Sequence, residues 1–180
     1  SYTNYRFRCE YRFVGDQVPN GPEWAFRNSG IMAHSQSAES MDVDQSFPDS
    51  FEFQFLGASK DGKPRPTGSF FLVGNVADHD GKEVTKNVKS EYPALPLNEW
   101  VKAELVVMDN VIQHIINGKV VMEYTNPREP DGAPKVSGHI ALQAESHGVQ
   151  FRNIEILPIN FPVTSKLKWA DGWKPFFNGK

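Results

Sequence analysis

The stretch YRFRCEYRF, Tyr5 to Phe13, decides the fold class. Tyr5, Phe7, Cys9, Tyr11 and Phe13 fall on one face, and Arg6, Arg8, Glu10 and Arg12 on the other. Successive side chains of a strand point to opposite faces, so this period of two predicts a strand with one buried and one wet side. FEFQF, residues 51–55, does the same: Phe51, Phe53 and Phe55 oppose Glu52 and Gln54. EWVKAELVVM (99–108) and NVIQHIINGKVVMEY (110–124) add three strands, with Asn117-Gly118 as a hairpin turn between the last two. In GHIALQAESHGVQFRNIEI (138–156), His139, Ala141, Gln143 and Glu145 share a face opposite Ile140 and Leu142. After Gly148 the apolar phase slips, and a bulge near Arg152-Asn153 restores it. No helical period of any length competes, and thirteen Pro and fourteen Gly punctuate the chain. The expected fold is all-β, a jelly-roll β-sandwich of two antiparallel sheets.

At 180 residues and 39% hydrophobic content, the chain suits one domain with its own core. A net charge of −3 with scattered basic residues argues against a nucleic-acid partner. No apolar run approaches the length of a membrane span. The single Cys9 excludes an internal disulfide, and its place on the apolar face predicts a buried thiol. Residues 14–26, 35–50 and 57–68 are polar, turn-rich excursions, the places where sandwiches carry binding sites.

Four groups of residues carry candidate chemistry. In RNSGIMAH (27–34), Arg27, Asn28 and Ser29 offer a guanidinium and short polar donors at a strand start, with Gly30 suited to a close approach. They clamp sugar hydroxyls or satisfy a local turn. Glu52 with Gln54, and Gln143 with Glu145, each project from one strand face. Such pairs bind hydroxyls bidentately, supply a base, or simply face solvent. His34 and His147 lie beside these clusters as candidates for acid–base work or a metal. His114, in mid-strand, reads as structural. Trp24 is a candidate stacking platform, and Trp100 an anchor for the core. No HxH, HExxH, P-loop or dinucleotide fingerprint is present, and Asp42 with Asp44 is a weak calcium signal.

Taken together and in order, RNSGIMAH, FEFQFLG, the 98–124 segment and LQAES…V-FRNI resemble the 3-keto-disaccharide hydrolase domain family over residues 2–157. The resemblance implies a concanavalin A-like lectin/glucanase fold, a carbohydrate substrate and an extracytoplasmic bacterial location, periplasmic or secreted. It also implies cleavage of glycosides already oxidised at C3. A ketone there acidifies the C2 proton, so one base and one electrophilic group suffice for elimination. On that basis the expected catalytic residues are Glu52, Glu145 and His34. Arg27, Asn28, Ser29, Gln54, Gln143, His147 and Trp24 are the expected substrate-binding residues. No cofactor is certain; a divalent metal polarising the ketone is an alternative whose ligands the sequence does not identify. A non-catalytic carbohydrate-binding module and an adhesion module are the rival readings. The domain is expected over 1–160. The tail 161–180, ending WADGWKPFFNGK, resembles the family's opening strand, as the start of a neighbouring repeat or a segment that supplies the first strand, within the chain or to a neighbouring protomer.

Overall fold

The alternation of Tyr5–Phe13 becomes the longest strand of a two-layer sandwich. The computed structural model describes residues 1–159. The tail expected to complete a strand or open a repeat, and the expected end of the domain at residue 160, lie outside the described residues. In chain order the strands are β1 (Tyr5–Gln17), β2 (Asn28–Ser35), β3 (Ser50–Leu56), β4 (Phe70–Val73), β5 (Val76–His79) and β6 (Lys82–Val84). There follow β7 (Val101–Met108), β8 (Val111–Ile116), β9 (Lys119–Arg128), β10 (His139–Ala144) and β11 (His147–Pro158). Among the described residues they form a seven-stranded sheet, β11-β1-β7-β8-β9-β5-β6, and a four-stranded sheet, β10-β2-β3-β4. The pairings within both sheets are antiparallel.

The core lies between the sheets. Tyr5, Phe7, Cys9, Tyr11 and Phe13 of β1 join Leu105 and Val107 of β7 against Ile31, Ala33, Phe51, Phe53, Phe55 and Phe70 of the smaller sheet. Stacked rings cross the gap: Tyr11 on Phe55 at 3.9 Å, Phe53 on His114 at 4.1 Å, and Phe70 on Tyr124 at 3.5 Å between centroids. Burial holds His114 neutral, its pKa pulled down to about 3, so its Nδ1–H donates to the Gly68 carbonyl at 3.0 Å. The thiol of Cys9 is buried and its pKa pushed up to about 12, which leaves it a packing group.

Turn and bulge chemistry follow the sequence closely. Asn117 and Gly118 both take positive φ (49° and 80°), which the two-residue hairpin between β8 and β9 requires. The slip in β11 is a bulge at Asn153 (φ 51°), which restores register against β1 between Arg8 and Glu10. Three features differ from expectation. β1 continues to Gln17 past Gly15 (φ 67°), into what reads as a loop. Strands β4 to β6 have only three or four residues each, too short to show a period. Trp100 lies outside the core, held between the guanidinium groups of Arg12 (4.5 Å) and Arg152 (3.9 Å).

Truncating the ring that bridges β3 and β8 tests this packing. Phe53→Ala is expected to cost about 3–5 kcal/mol, read as a lowered denaturant midpoint at unchanged m-value. A cost under about 1 kcal/mol would mean that the Phe53–His114 stack does not hold the sheets together.

Candidate active site

Because Phe51, Phe53 and Phe55 of β3 point into the core, Glu52 and Gln54 must point to the outer face of the four-stranded sheet. Register decides their neighbours. Gly30 of β2 lies opposite both Gln54 and Gln143 of β10, and Met32 lies opposite both Glu52 and Ala141. The bare backbone at Gly30 is the floor of the site. A Cβ there would stand 2.9 Å from Gln143 Oε1, 2.9 Å from the Phe53 carbonyl and 3.2 Å from Glu52 Oε1. Glycine therefore lets the two side chains fold in over β2. Gln143 Nε2 donates to Glu145 Oε1 at 2.7 Å, which ties the second carboxylate into the group.

Electrostatics separates the two acids. Glu52 is 4% exposed, and burial together with the Glu145 charge pushes its pKa up to about 8. Burial also raises Glu145, but the hydrogen bond from Gln143 works the other way. Glu52 is thus the acid that holds its proton more tightly, and Glu145 the one whose charged form has a hydrogen-bond donor. Among the described residues, Glu52 Oε1, Glu145 Oε2, Gln143 Oε1 and Asn28 Oδ1 are buried without a hydrogen-bond partner. Buried polar atoms are nearly always paired, so such atoms concentrated along one face fit a hydroxyl-rich ligand. Asn28 shares the parity of Gly30 on β2, and its Nδ2 donates to the Trp24 carbonyl at 3.3 Å. Trp24 itself is 60% exposed beside this row, free to stack.

The remaining expected site residues are placed differently. Ser29 has the inward parity of Ile31, and its hydroxyl donates to the Gln143 carbonyl at 2.7 Å, fastening β10 to β2. His34 occupies the bulge that β2 makes between its pairings with Ala141 and His139, at φ 46°. Its ring packs edge-on to Tyr5 at 6.4 Å, and burial draws its pKa down to about 4. Arg27 lies over the Phe26 ring at 4.7 Å, with Nη1 donating to the Ala58 carbonyl at 3.2 Å. His147 packs edge-on to Phe26 (5.0 Å) and Phe13 (6.1 Å), its pKa lowered first by burial and next by Arg27. Arg27 and His147 thus form one end wall of the sandwich rather than part of the Glu52 row. Among the described residues no set of three or more His, Cys, Asp or Glu side chains gathers as a metal site.

The sequence matches the model of the 3-keto-alpha-glucoside-1,2-lyase-like domain over residues 1–157. No curated protein matches it. Among solved structures, a candidate glycosyl hydrolase of Parabacteroides distasonis is 19% identical, with 88% of this chain and 79% of that one covered and a TM-score of 0.54. The carbohydrate-binding module CBM66 of Bacillus subtilis is 9% identical, covering 86% and 74% at a TM-score of 0.52. The alginate lyase AlyC3 is 12% identical, covering 87% and 67% at 0.54. At such identities the likeness concerns the concanavalin A-like sandwich alone.

Two outcomes test the site's geometry. Gly30→Ala is expected to push Gln143 and Glu52 apart, measured as weakened ligand binding with a fold still intact by circular dichroism. Glu52 has its proton held more tightly folded than unfolded, so its stabilising contribution is complete below about pH 4.5 and lost as pH rises through about 8. Glu52→Gln therefore flattens this fall, worth several kcal/mol by order of magnitude, and melts above the parent protein at alkaline pH. Parallel melting curves for both proteins between about pH 5 and pH 9 would show that Glu52 is not a strained acid.

Proposed function

The chain belongs to the 3-keto-alpha-glucoside-1,2-lyase-like domain family, and from that premise we propose that it cleaves the glycosidic bond of 3-keto-glycosides by elimination. The observation that carries this reading is the pairing of Glu52, whose proton is held up to about pH 8, with Glu145, whose charged form Gln143 favours by its hydrogen bond. Carboxyls whose environments separate their pKa values in this way divide into an acid and a base.

With the keto sugar laid over Gly30, the Glu145 carboxylate takes the proton from C2. The electron pair left behind moves into the C2–C3 bond and onto the C3 oxygen, where the Glu52 carboxyl donates a hydrogen bond to the developing enolate. As the C3 carbonyl re-forms, the C1–O bond breaks and the leaving oxygen takes up the proton. The product is a C1=C2 alkene conjugated to the ketone. Addition of water across it, hydroxyl to C1, turns net elimination into net hydrolysis. Gln143 fixes the Glu145 carboxylate and presents its own oxygen to a sugar hydroxyl. Gln54 and Asn28 supply further hydrogen bonds, and Trp24 a stacking surface. Because C2 of such a sugar is already acidic, one base meets the need, and the two-carboxylate geometry of ordinary glycosidases is not required. An extracytoplasmic setting belongs to the same proposal.

Incubation with a 3-keto-glucoside, followed by ultraviolet absorbance of the enone and mass analysis of products, checks this reaction. Glu145→Gln and Glu52→Gln are each expected to lower turnover by about 10²–10⁴-fold. The rate should rise with ionisation of Glu145 above the ordinary carboxylate range and fall again near pH 8 as Glu52 loses its proton. Wild-type turnover in both variants would sink the assignment. Sugar binding with no turnover of any keto-glycoside would favour a non-catalytic carbohydrate-binding module.

A further inference from the structure

The end wall that holds Arg27 and His147 stands apart from the Glu52 row, and it carries charge that the chain does not balance. Arg6, Arg8, Arg128 and Arg152 each meet carboxylates: Glu104, Glu155, Asp78 with Glu83, and Glu10 in turn. Arg12 donates to Gln150 and lies on Trp100. Arg27 and Arg65, both half-buried, have no carboxylate partner among the described residues, and neither does the exposed Lys60 beside them.

These three cations share one small neighbourhood. The Lys60 ammonium stands 5.3 Å from the centre of the Phe26 ring that also carries the Arg27 guanidinium. Arg65 donates from Nε to the Gly57 carbonyl at 2.7 Å, and from Nη2 to the carbonyls of Phe26 and Arg27. Burial first, and Arg27 next, lower the pKa of both Arg65 and His147, as a positive field requires. Neighbouring carboxylates leave that field standing. Asp61 is held by Lys63 Nζ at 2.6 Å and by Ser59 Oγ, and Asp16, exposed near the end of β1, makes no ion pair among the described residues.

Arg27 is also fixed in place. A Cβ on Gly57 would stand 2.9 Å from both Cβ and Cδ of Arg27, so the arginine stem lies flat on bare backbone. Its Nη1 is spent on the Ala58 carbonyl. The edge formed by Nε–H and Nη2–H has no acceptor among the described residues, and Nε is buried. That edge is the one that meets a carboxylate or sulfate with two parallel hydrogen bonds. Buried donors are nearly always paired, so its vacancy fits an acceptor from outside the chain.

We propose that this end of the sandwich is an anion-binding site, separate from the Glu52 row, whose ligand is an oxyanion carried on a sugar: a uronate carboxylate or a sulfate ester. Arg27 grips two of its oxygens, while Lys60 and Arg65 supply the surrounding positive field. The anion part stands on charge and geometry alone; the sugar part rests on the carbohydrate reading above. The site directs the domain toward acidic glycans over neutral ones.

Calorimetric titration at low ionic strength tests this with methyl glucuronide, methyl glucoside and sodium sulfate. The proteins are the parent, Arg27→Gln, Lys60→Glu and Glu52→Gln. The glucuronide is expected to bind about tenfold tighter than the glucoside, and Arg27→Gln to remove that advantage. Lys60→Glu, at an exposed position that leaves the fold alone, is expected to weaken the glucuronide about threefold. Added salt should weaken it too. Equal affinity for the two glycosides, or a glucuronide affinity unmoved in both Arg27→Gln and Lys60→Glu, overturns the site. Sulfate binding as tightly as the glucuronide overturns the sugar as its ligand. Glu52→Gln is expected to bind the glucuronide as the parent does, whether or not 3-keto-glucosides are turned over, which keeps this inference apart from the proposed reaction. Loss of glucuronide binding in Glu52→Gln would place the ligand on the Glu52 row and overturn a separate site.

Discussion

Ring stacking across the gap between the sheets is the interaction on which the rest of this molecule depends. Tyr11, His114 and Tyr124 of the larger sheet lie flat on Phe55, Phe53 and Phe70 of the smaller one. Face-to-face rings tolerate little sliding, so they fix the offset of the sheets as well as their spacing. Because the three phenylalanines belong to β3 and the start of β4, the stacks also fix which side of β3 faces outward. Glu52 and Gln54 occupy that side by strict alternation. The polar chemistry of one surface is thus set by the aromatic packing of the other.

The carboxyl pair shows how a buried charge is made tolerable. Two ionised acids close together on this face would repel with little water to screen them. The surroundings hold the proton more tightly on Glu52, while Gln143 offers the charged form of Glu145 a donor. Ser29 contributes indirectly, since its hydroxyl pulls the Gln143 backbone toward β2. Gly30 completes the arrangement by its lack of a side chain. These residues come from three strands distant in sequence, and only register brings them together.

Much of this was legible in the chain itself. Alternation in Tyr5–Phe13 and Phe51–Phe55, the Asn117-Gly118 turn and the slip at Asn153 are local signals, and the sandwich follows from them. The shared face of Gln143 and Glu145 was equally local. What sequence left ambiguous was the direction of residues whose backbone departs from period two. His34 reads as a neighbour of the polar face, but a bulge turns it against Tyr5. Arg27 and Ser29 sit beside Asn28 in sequence and have the opposite parity. Trp100 reads as a core anchor because of its size, whereas two arginines of neighbouring strands cover it on the outside.

Among the described residues, β10, which carries Gln143 and leads into Glu145, is an edge strand of the smaller sheet, paired to β2. Edge strands detach at a fraction of the free energy needed to melt a core. One member of the carboxyl pair is therefore carried at the end of an edge strand, while Glu52 rests on one of the inner strands. Peeling β10 away would part the two carboxyls and relieve their repulsion, leaving the aromatic stacks intact. On heating, loss of the site at that edge would then precede loss of the fold.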